Sequence, residues 1–179
     1  MTRIGEFKRV SFDRFKKDVR QAYNPMLSDN DLQTMYDLLE LPRRATKNSA
    51  GYDFKMPFVL KLEPNEEYLI PTGIKCNMFD DWVLTLYPRS GLGFKYGFEL
   101  RNTVGVIDSD YVESDNEGHI MAKVIHHFNK PIILNPGDGF MQGIFLNYGI
   151  TFDDFTTAKR NGGFGSTDTY NKKGGKRSL

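Results

Sequence analysis

From about residue 56 onward the chain breaks into short runs of apolar, aromatic and β-branched residues, and this texture limits its folds more than any other feature. The runs are Phe58 to Leu62, Tyr68 to Ile70, Trp82 to Tyr87, His119 to His127, Pro131 to Leu134 and Phe140 to Tyr148. Between them stand turn-forming clusters such as Glu63-Pro-Asn, Pro71-Thr-Gly, Phe79-Asp-Asp and Asn135-Pro-Gly-Asp. Short strands with regular punctuation predict a mainly β fold, a sandwich or barrel.

Residues 11 to 41 are different. Phe12, Phe15 and Val19 share one helical face, and Leu32, Met35, Tyr36 and Leu39 repeat at three- and four-residue steps. Ser28 with Asp31 forms a capping pair, and Pro42 closes the segment. Two short helices are expected, docked on the main body through stripes of packing surface. The organisation read from the chain is a helical extension over 1–41, a β-body over 42–158 and a flexible tail over 159–179. The tail carries Asn161-Gly-Gly-Phe-Gly-Ser-Thr-Asp and then Asn171-Lys-Lys-Gly-Gly-Lys-Arg-Ser-Leu, rich in glycine and charge without a core-forming pattern.

With 179 residues and 39% hydrophobic content, the chain has material for one core and is too short to favour two domains. Its 24 Lys plus Arg nearly cancel 23 Asp plus Glu, so nothing in the balance asks for a nucleic-acid or membrane partner. The single cysteine, Cys76, excludes an intrachain disulfide and a multi-cysteine zinc site, and reads as a small buried residue. Charge breaks up the apolar residues of Met1 to Arg9, and no run has the length of a bilayer span. A soluble, cytoplasmic protein is expected.

Four segments carry candidate chemistry. Pro88-Arg-Ser-Gly-Leu-Gly93 offers a guanidinium, a hydroxyl and glycine-freed amides suited to phosphate oxygens, or simply a tight turn. No Gly-Lys-Ser/Thr closes it and no helix is expected after it, so it is neither a Walker loop nor a dinucleotide fingerprint. Asn102-Thr-Val-Gly-Val-Ile-Asp-Ser-Asp-Tyr111 puts Asp108 and Asp110 on one side if extended. An aspartate there either polarises a water or accepts backbone hydrogen bonds in a turn. Gln142, in Gly137-Asp-Gly-Phe-Met-Gln-Gly143, needs a partner that backbone can supply. Lys159-Arg-Asn-Gly-Gly-Phe-Gly-Ser-Thr167 is either a strip that folds over a base and its phosphates or a disordered end. His126 and His127, adjacent in an expected strand, point to opposite faces, and with His119 they read as ordinary residues rather than metal ligands.

Taken in order, Ala50-Gly-Tyr-Asp53, Pro88 to Gly93, Gly105-Val-Ile-Asp-Ser-Asp-Tyr111, Gly137 to Gly143 and Arg160 to Thr167 resemble the five motifs of trimeric dUTP diphosphatases, over roughly residues 42 to 168. The resemblance implies a jelly-roll-like β-barrel subunit, a homotrimer with shared sites, and hydrolysis of dUTP to dUMP and pyrophosphate. Asp108 would be the general base for water attacking the α-phosphorus, with Mg2+ held mainly by substrate phosphates and water rather than by protein ligands. Asp53 would act through a neighbouring residue. Arg89, Ser90, Gly91 and Gln142 would hold phosphates. Asn102, the backbone of Gly105, Val106 and Ile107, and the backbone near Met121 would read uracil. Tyr111 would lie against deoxyribose and exclude a 2′-hydroxyl. From the tail, Phe164 would stack on uracil while Arg160, Gly165, Ser166 and Thr167 fasten the terminal phosphates.

The chain departs from the family pattern in four places. Residues 1–41 have no counterpart, and Val112-Glu-Ser-Asp-Asn-Glu117 lengthens the turn after Tyr111. Gly139-Phe140 stands where the fourth motif usually has arginine. Tail spacing is one residue short, which makes Lys159 an alternative to Arg160. Two rivals remain: a dCTP deaminase, which attacks the base, and a trimeric interaction module whose extension and basic tail hold a protein.

Overall fold

The computed structural model describes residues 2–160. Strand β1 (Gly5–Arg9) leads into helices α1 (Phe12–Ala22) and α2 (Asp29–Asp37). Then come β2 (Arg43–Arg44), β3 (Tyr52–Lys55), β4 (Leu60–Leu62), β5 (Tyr68–Pro71), β6 (Ile74–Met78) and β7 (Trp82–Pro88). Helix α3 (Ser90–Tyr96) precedes β8 (Glu99–Leu100), β9 (Gly105–Ile107) and a 3-10 turn over Ser109–Glu113. The order ends with β10 (Met121–Ile125), β11 (Ile132–Leu134) and β12 (Gly139–Asn147).

The architecture is mainly β, as the punctuated runs require. The strands form four sheets: β1-β6, β5-β10-β8, β11-β4 and the five-stranded β2-β3-β12-β7-β9. Hydrogen bonding among the described residues therefore does not join them into one closed barrel. In the large sheet β12 lies antiparallel between β3 and β7, and β7 carries β9 on its far side. Leu84 and Leu86 alternate inward along β7, while Thr85 satisfies its hydroxyl on the Ile144 carbonyl at 2.9 Å. A register shift between Gly139 and Met141 adds a residue to β12, so that Phe140 and Met141 are both fully buried.

The extension is not purely helical, because β1 pairs along its length with β6. Gly5 makes that pairing close: a Cβ there would come within 2.5 Å of the Asn77 carbonyl. Phe7 points inward against Tyr52, Phe54 and Phe145. Ser11 caps α1, and Ser28 with Asp31 forms a reciprocal capping box on α2. Helix α2 ends at Asp37, before Pro42, and Arg9 reaches the orphan carbonyls of Asp37 and Leu39 at 3.1 and 2.6 Å. Phe15, Val19 and Leu32 are fully buried in the same core cluster as the strands. Each contributes on the order of 1.5–3 kcal/mol by burial, so the extension is built into the core. No described helix is long and apolar enough to cross a membrane.

Candidate active site

The sheet register brings three of the singled-out segments together. Asp53 of β3 is paired with Gln142 of β12, and Gln142 with Tyr87 of β7, so Arg89 emerges beside them one residue past the end of β7. The Arg89 amide donates to the Phe140 carbonyl at 3.1 Å, and its carbonyl takes the amides of Leu92 and Gly93, both at 3.0 Å. These bonds start α3, which corrects the expectation that no helix follows Pro88-Arg89. Glycines at 91 and 93 hide that helix from propensity; it is supported instead by Gly97, left-handed at φ 60°, which ends it.

Arg89 lies across Gly139. A Cβ there would sit 2.4 Å from Nη1, so the missing side chain is what lets the guanidinium lie flat. Its Nε is 3.4 Å from Asp53 Oδ1. Gln142 similarly folds over Gly51, where a Cβ would meet Oε1 at 2.3 Å. In front of Arg89, Ser90, Gly91 and Gly139 opens a cavity of about 740 Å³, with Lys130 and Asp138 on its wall. Lys130 was not singled out from the sequence. Only the fold reveals it, since nothing in the stretch before Pro131 marks a lysine as facing a cavity.

A second group forms elsewhere. Asp108 is extended after β9, and the chain then winds into the 3-10 turn, so the run through Asp110 is not one extended segment. Both carboxylates nonetheless converge on Arg160: Nη2 bonds Asp108 Oδ2, and Nε bonds Asp110 Oδ1 at 2.7 Å. Burial alone would lower the Arg160 pKa, but the carboxylates of Asp110 and Asp108 outweigh it and hold the guanidinium above its ordinary value. The guanidinium carbon lies 5.7 Å from the centre of the Tyr111 ring.

Tyr111 is buried, and burial raises its phenol pKa although Asn116 and Arg160 act in the other direction. Its hydroxyl donates to the His119 carbonyl at 3.2 Å and accepts from Asn116 Nδ2 at 2.8 Å. Asn102 is exposed in the turn between β8 and β9, with Thr103 at φ 65°. Gly105 and Ile107 face inward, Val106 faces out, and β9 is an edge strand. Met121 opens β10, half-buried and paired with Pro71. Phe164, Gly165, Ser166 and Thr167 lie outside the described residues.

The two groups occupy opposite ends of β7. Ile107 pairs with Leu84, which puts Asp108 level with Val83. Arg89 is then six residues along the strand, roughly 20 Å at about 3.3 Å per residue.

The histidines are not equivalent. His126 is buried, with Nε2 on the Leu62 carbonyl at 2.9 Å and Nδ1 taking the Phe128 amide at 3.2 Å. His127 is exposed beside Asn65 and Glu99. His119 is buried against Asp18, a contact no local pattern announces. Among the described residues no group of three or more His, Cys, Asp or Glu is placed to hold a metal ion.

Comparison with known proteins agrees with the motif order. The dUTPase family model matches residues 37–168. The chain is 39% identical over 132 residues to the deoxyuridine 5'-triphosphate nucleotidohydrolase of Lactococcus lactis subsp. lactis, covering 72% of this chain and 88% of that protein. It resembles the crystal structure of dUTPase from Streptococcus mutans with a TM-score of 0.59 and 37% identity, over 64% of this chain and 90% of that one. The dUTPase of phage phi11 of S. aureus shares the fold at 16% identity, with a TM-score of 0.60 over 87% of this chain and 97% of that one.

Proposed function

This chain belongs to the dUTPase family, and with nucleotide hydrolysis as the premise we propose that it cleaves dUTP to dUMP and pyrophosphate at a site completed only between subunits. The separation along β7 is the observation that carries this reading. Arg89 and Asp108 must address one triphosphate, yet the register holds them roughly 20 Å apart within one chain. A second copy supplies the missing half. A jelly-roll-like subunit in a homotrimer gives each site the Arg89 end of one chain and the Asp108 end of a neighbour.

In this mechanism Asp108 accepts a proton from a water whose oxygen attacks the α-phosphorus. The bond from that phosphorus to the bridging oxygen breaks, and pyrophosphate leaves. The Asp108 side chain is about half exposed, which leaves an oxygen accessible to such a water. Arg89, Ser90, Gly91 and Gln142 restrain the phosphates, with Asp53 orienting Arg89. The unpaired edge of β9, with Asn102 and the start of β10 at Met121, reads the uracil edge. Tyr111 lies against deoxyribose, and Phe164 covers the base.

Magnesium would be held mainly by the substrate's phosphates and by water rather than by protein ligands, and when bound would offset the phosphate charge. Arg160 exchanges its carboxylate partners for the terminal phosphates, aided by Gly165, Ser166 and Thr167. The enzyme acts on free nucleotides in the cytoplasm.

A product assay with magnesium across dUTP, dTTP, dCTP and UTP tests the proposal. The expected result is dUMP and pyrophosphate from dUTP, with the other three turned over far more slowly. Ammonia released from dCTP would instead identify a deaminase on the same scaffold.

A further inference from the structure

The extension and the lengthened turn after Tyr111, two stretches that depart from the family pattern, meet each other. Arg14 of α1 donates to the Asp115 carbonyl at 2.7 Å, and Glu117 accepts the Ser11 amide at 2.9 Å and the Ser11 hydroxyl at 2.7 Å. One face of this junction is polar and fully buried. The Gly73 amide donates to His119 Nε2 at 2.7 Å, which makes that nitrogen the acceptor and leaves the proton on Nδ1. Nδ1 in turn faces Asp18 Oδ2 of α1 at 2.7 Å.

The His119 ring is thus fixed from both sides, and its backbone carbonyl takes the Tyr111 hydroxyl. Asn116 completes the arrangement. Its Nδ2 donates to the Tyr111 hydroxyl at 2.8 Å, and its Oδ1 accepts from the Gly118 amide at 3.1 Å and from Ser114 Oγ at 2.8 Å. The Tyr111 hydroxyl therefore donates to the His119 carbonyl and accepts from Asn116 of the turn, whose own position is set by α1.

We propose that α1 and the turn at 112–118 form a brace that sets the Tyr111 ring for sugar selection, with Asn116, His119 and Asp18 as positioning residues. The inference rests on the reading above that Tyr111 lies against deoxyribose. Excluding one hydroxyl by a ring face demands a fixed ring, and a phenol held at its oxygen by two partners cannot tilt without breaking a buried bond.

The test compares kcat/KM for dUTP and UTP in the full chain. Asn116→Ala is expected to lower the dUTP:UTP ratio roughly 3- to 10-fold, the range one neutral hydrogen bond supports. KM for dUTP rises while kcat changes less. Tyr111→Phe, which also gives up the bond to the His119 carbonyl, lowers the ratio at least as much, and adding Asn116→Ala to it changes little more, because the Asn116–Tyr111 bond is already gone. Asp18→Asn keeps an acceptor for Nδ1–H and holds the ratio near wild type, whereas Asp18→Leu lowers it. Arg20→Ala, on the same helix but tied to Leu27 and Asp29, leaves the ratio unchanged.

An unchanged ratio in folded Asn116→Ala and Tyr111→Phe, or an equal drop in Arg20→Ala, overturns the brace. If Asp18→Leu does not fold, Arg14→Ala replaces it, since it cuts the Asp115 bond from the exposed side, and the same two outcomes decide. Wild-type protein that fails to hydrolyse dUTP overturns the functional reading and the brace with it. Normal wild-type selectivity with unaltered variants overturns the brace alone.

Discussion

Glu117 closes the N-terminus of α1 from 106 residues away, accepting both the amide and the hydroxyl of Ser11. Ser11 Oγ also accepts the Arg14 amide at 3.2 Å, so the cap is shared between a local serine and a distant carboxylate. The arrangement adds a second negative charge at the helix N-terminus to that of Asp13 in its first turn.

That contact predicts an acid-sensitive increment of stability. Burial pushes the Glu117 carboxyl up, but the bonds from Ser11, with Lys75 and Arg14 nearby, outweigh it, and the pKa falls below the ordinary 4.5. A depressed carboxyl stabilises the fold above its unfolded value, and that contribution disappears as pH falls through the lower folded value. Glu117→Gln should therefore lower Tm at neutral pH by the equivalent of about 0.5–1 kcal/mol, a figure discounted for the partial exposure of the side chain. Thermal melts at descending pH should show the two proteins converging below about 4.5. A gap that stays constant into acid would disprove the charge-dependent cap.

Two glycines should respond oppositely to alanine. Gly118 is left-handed at φ 70°, and a Cβ there would lie 2.6 Å from Val112 Cα, an obstacle of backbone. Gly118→Ala is expected to destabilise by about 1–3 kcal/mol in denaturant titrations. At Gly139 the obstacle is the Arg89 side chain, which can swing away. Gly139→Ala should melt near wild type but raise KM for dUTP on the order of tenfold by displacing a charged phosphate ligand. Unchanged KM would separate Arg89 from phosphate binding.

Cys76 supplies a reporter of opening. Burial pushes its thiol up to about 12, and only 2% of the residue is exposed. Iodoacetamide should leave it unmodified at neutral pH in the native protein and label it as β6 opens, read by mass shift. Rapid labelling without denaturant would mean that the β1-β6 pair opens readily.

The β character was legible because β4, β5, β7, β11 and β12 overlap apolar runs that need no context to be seen. Strands β1 and β6 were not, because Lys8, Lys75 and Asn77 alternate with inward residues and break the runs. Half-exposed strands announce themselves through pairing rather than composition. Similarly, Asp108 could be singled out by its neighbours, but its approach to Arg160 spans 52 residues and the Asp18–His119 contact spans 101. Such contacts are products of the fold. Lys130 entered the cavity wall in the same way, through the placement of β11 beside α3.

The separation of Arg89 from Asp108 predicts that two dead variants can rescue each other. Asp108→Asn should reduce kcat by about 10²–10⁴ through loss of the base, and Arg89→Ala should abolish productive phosphate binding. Within one chain neither defect can be supplied by the other end of β7. In a cyclic trimer, each mixed assembly contains one boundary where an intact Arg89 meets an intact neighbouring Asp108. Random exchange of equal amounts then restores about a quarter of the sites. Differently tagged variants, refolded together and separated by their tags, allow mixed trimers to be isolated and assayed for dUMP formation. Activity in those fractions alone would place the site between subunits, whereas inactive mixed trimers would require each chain to build its own.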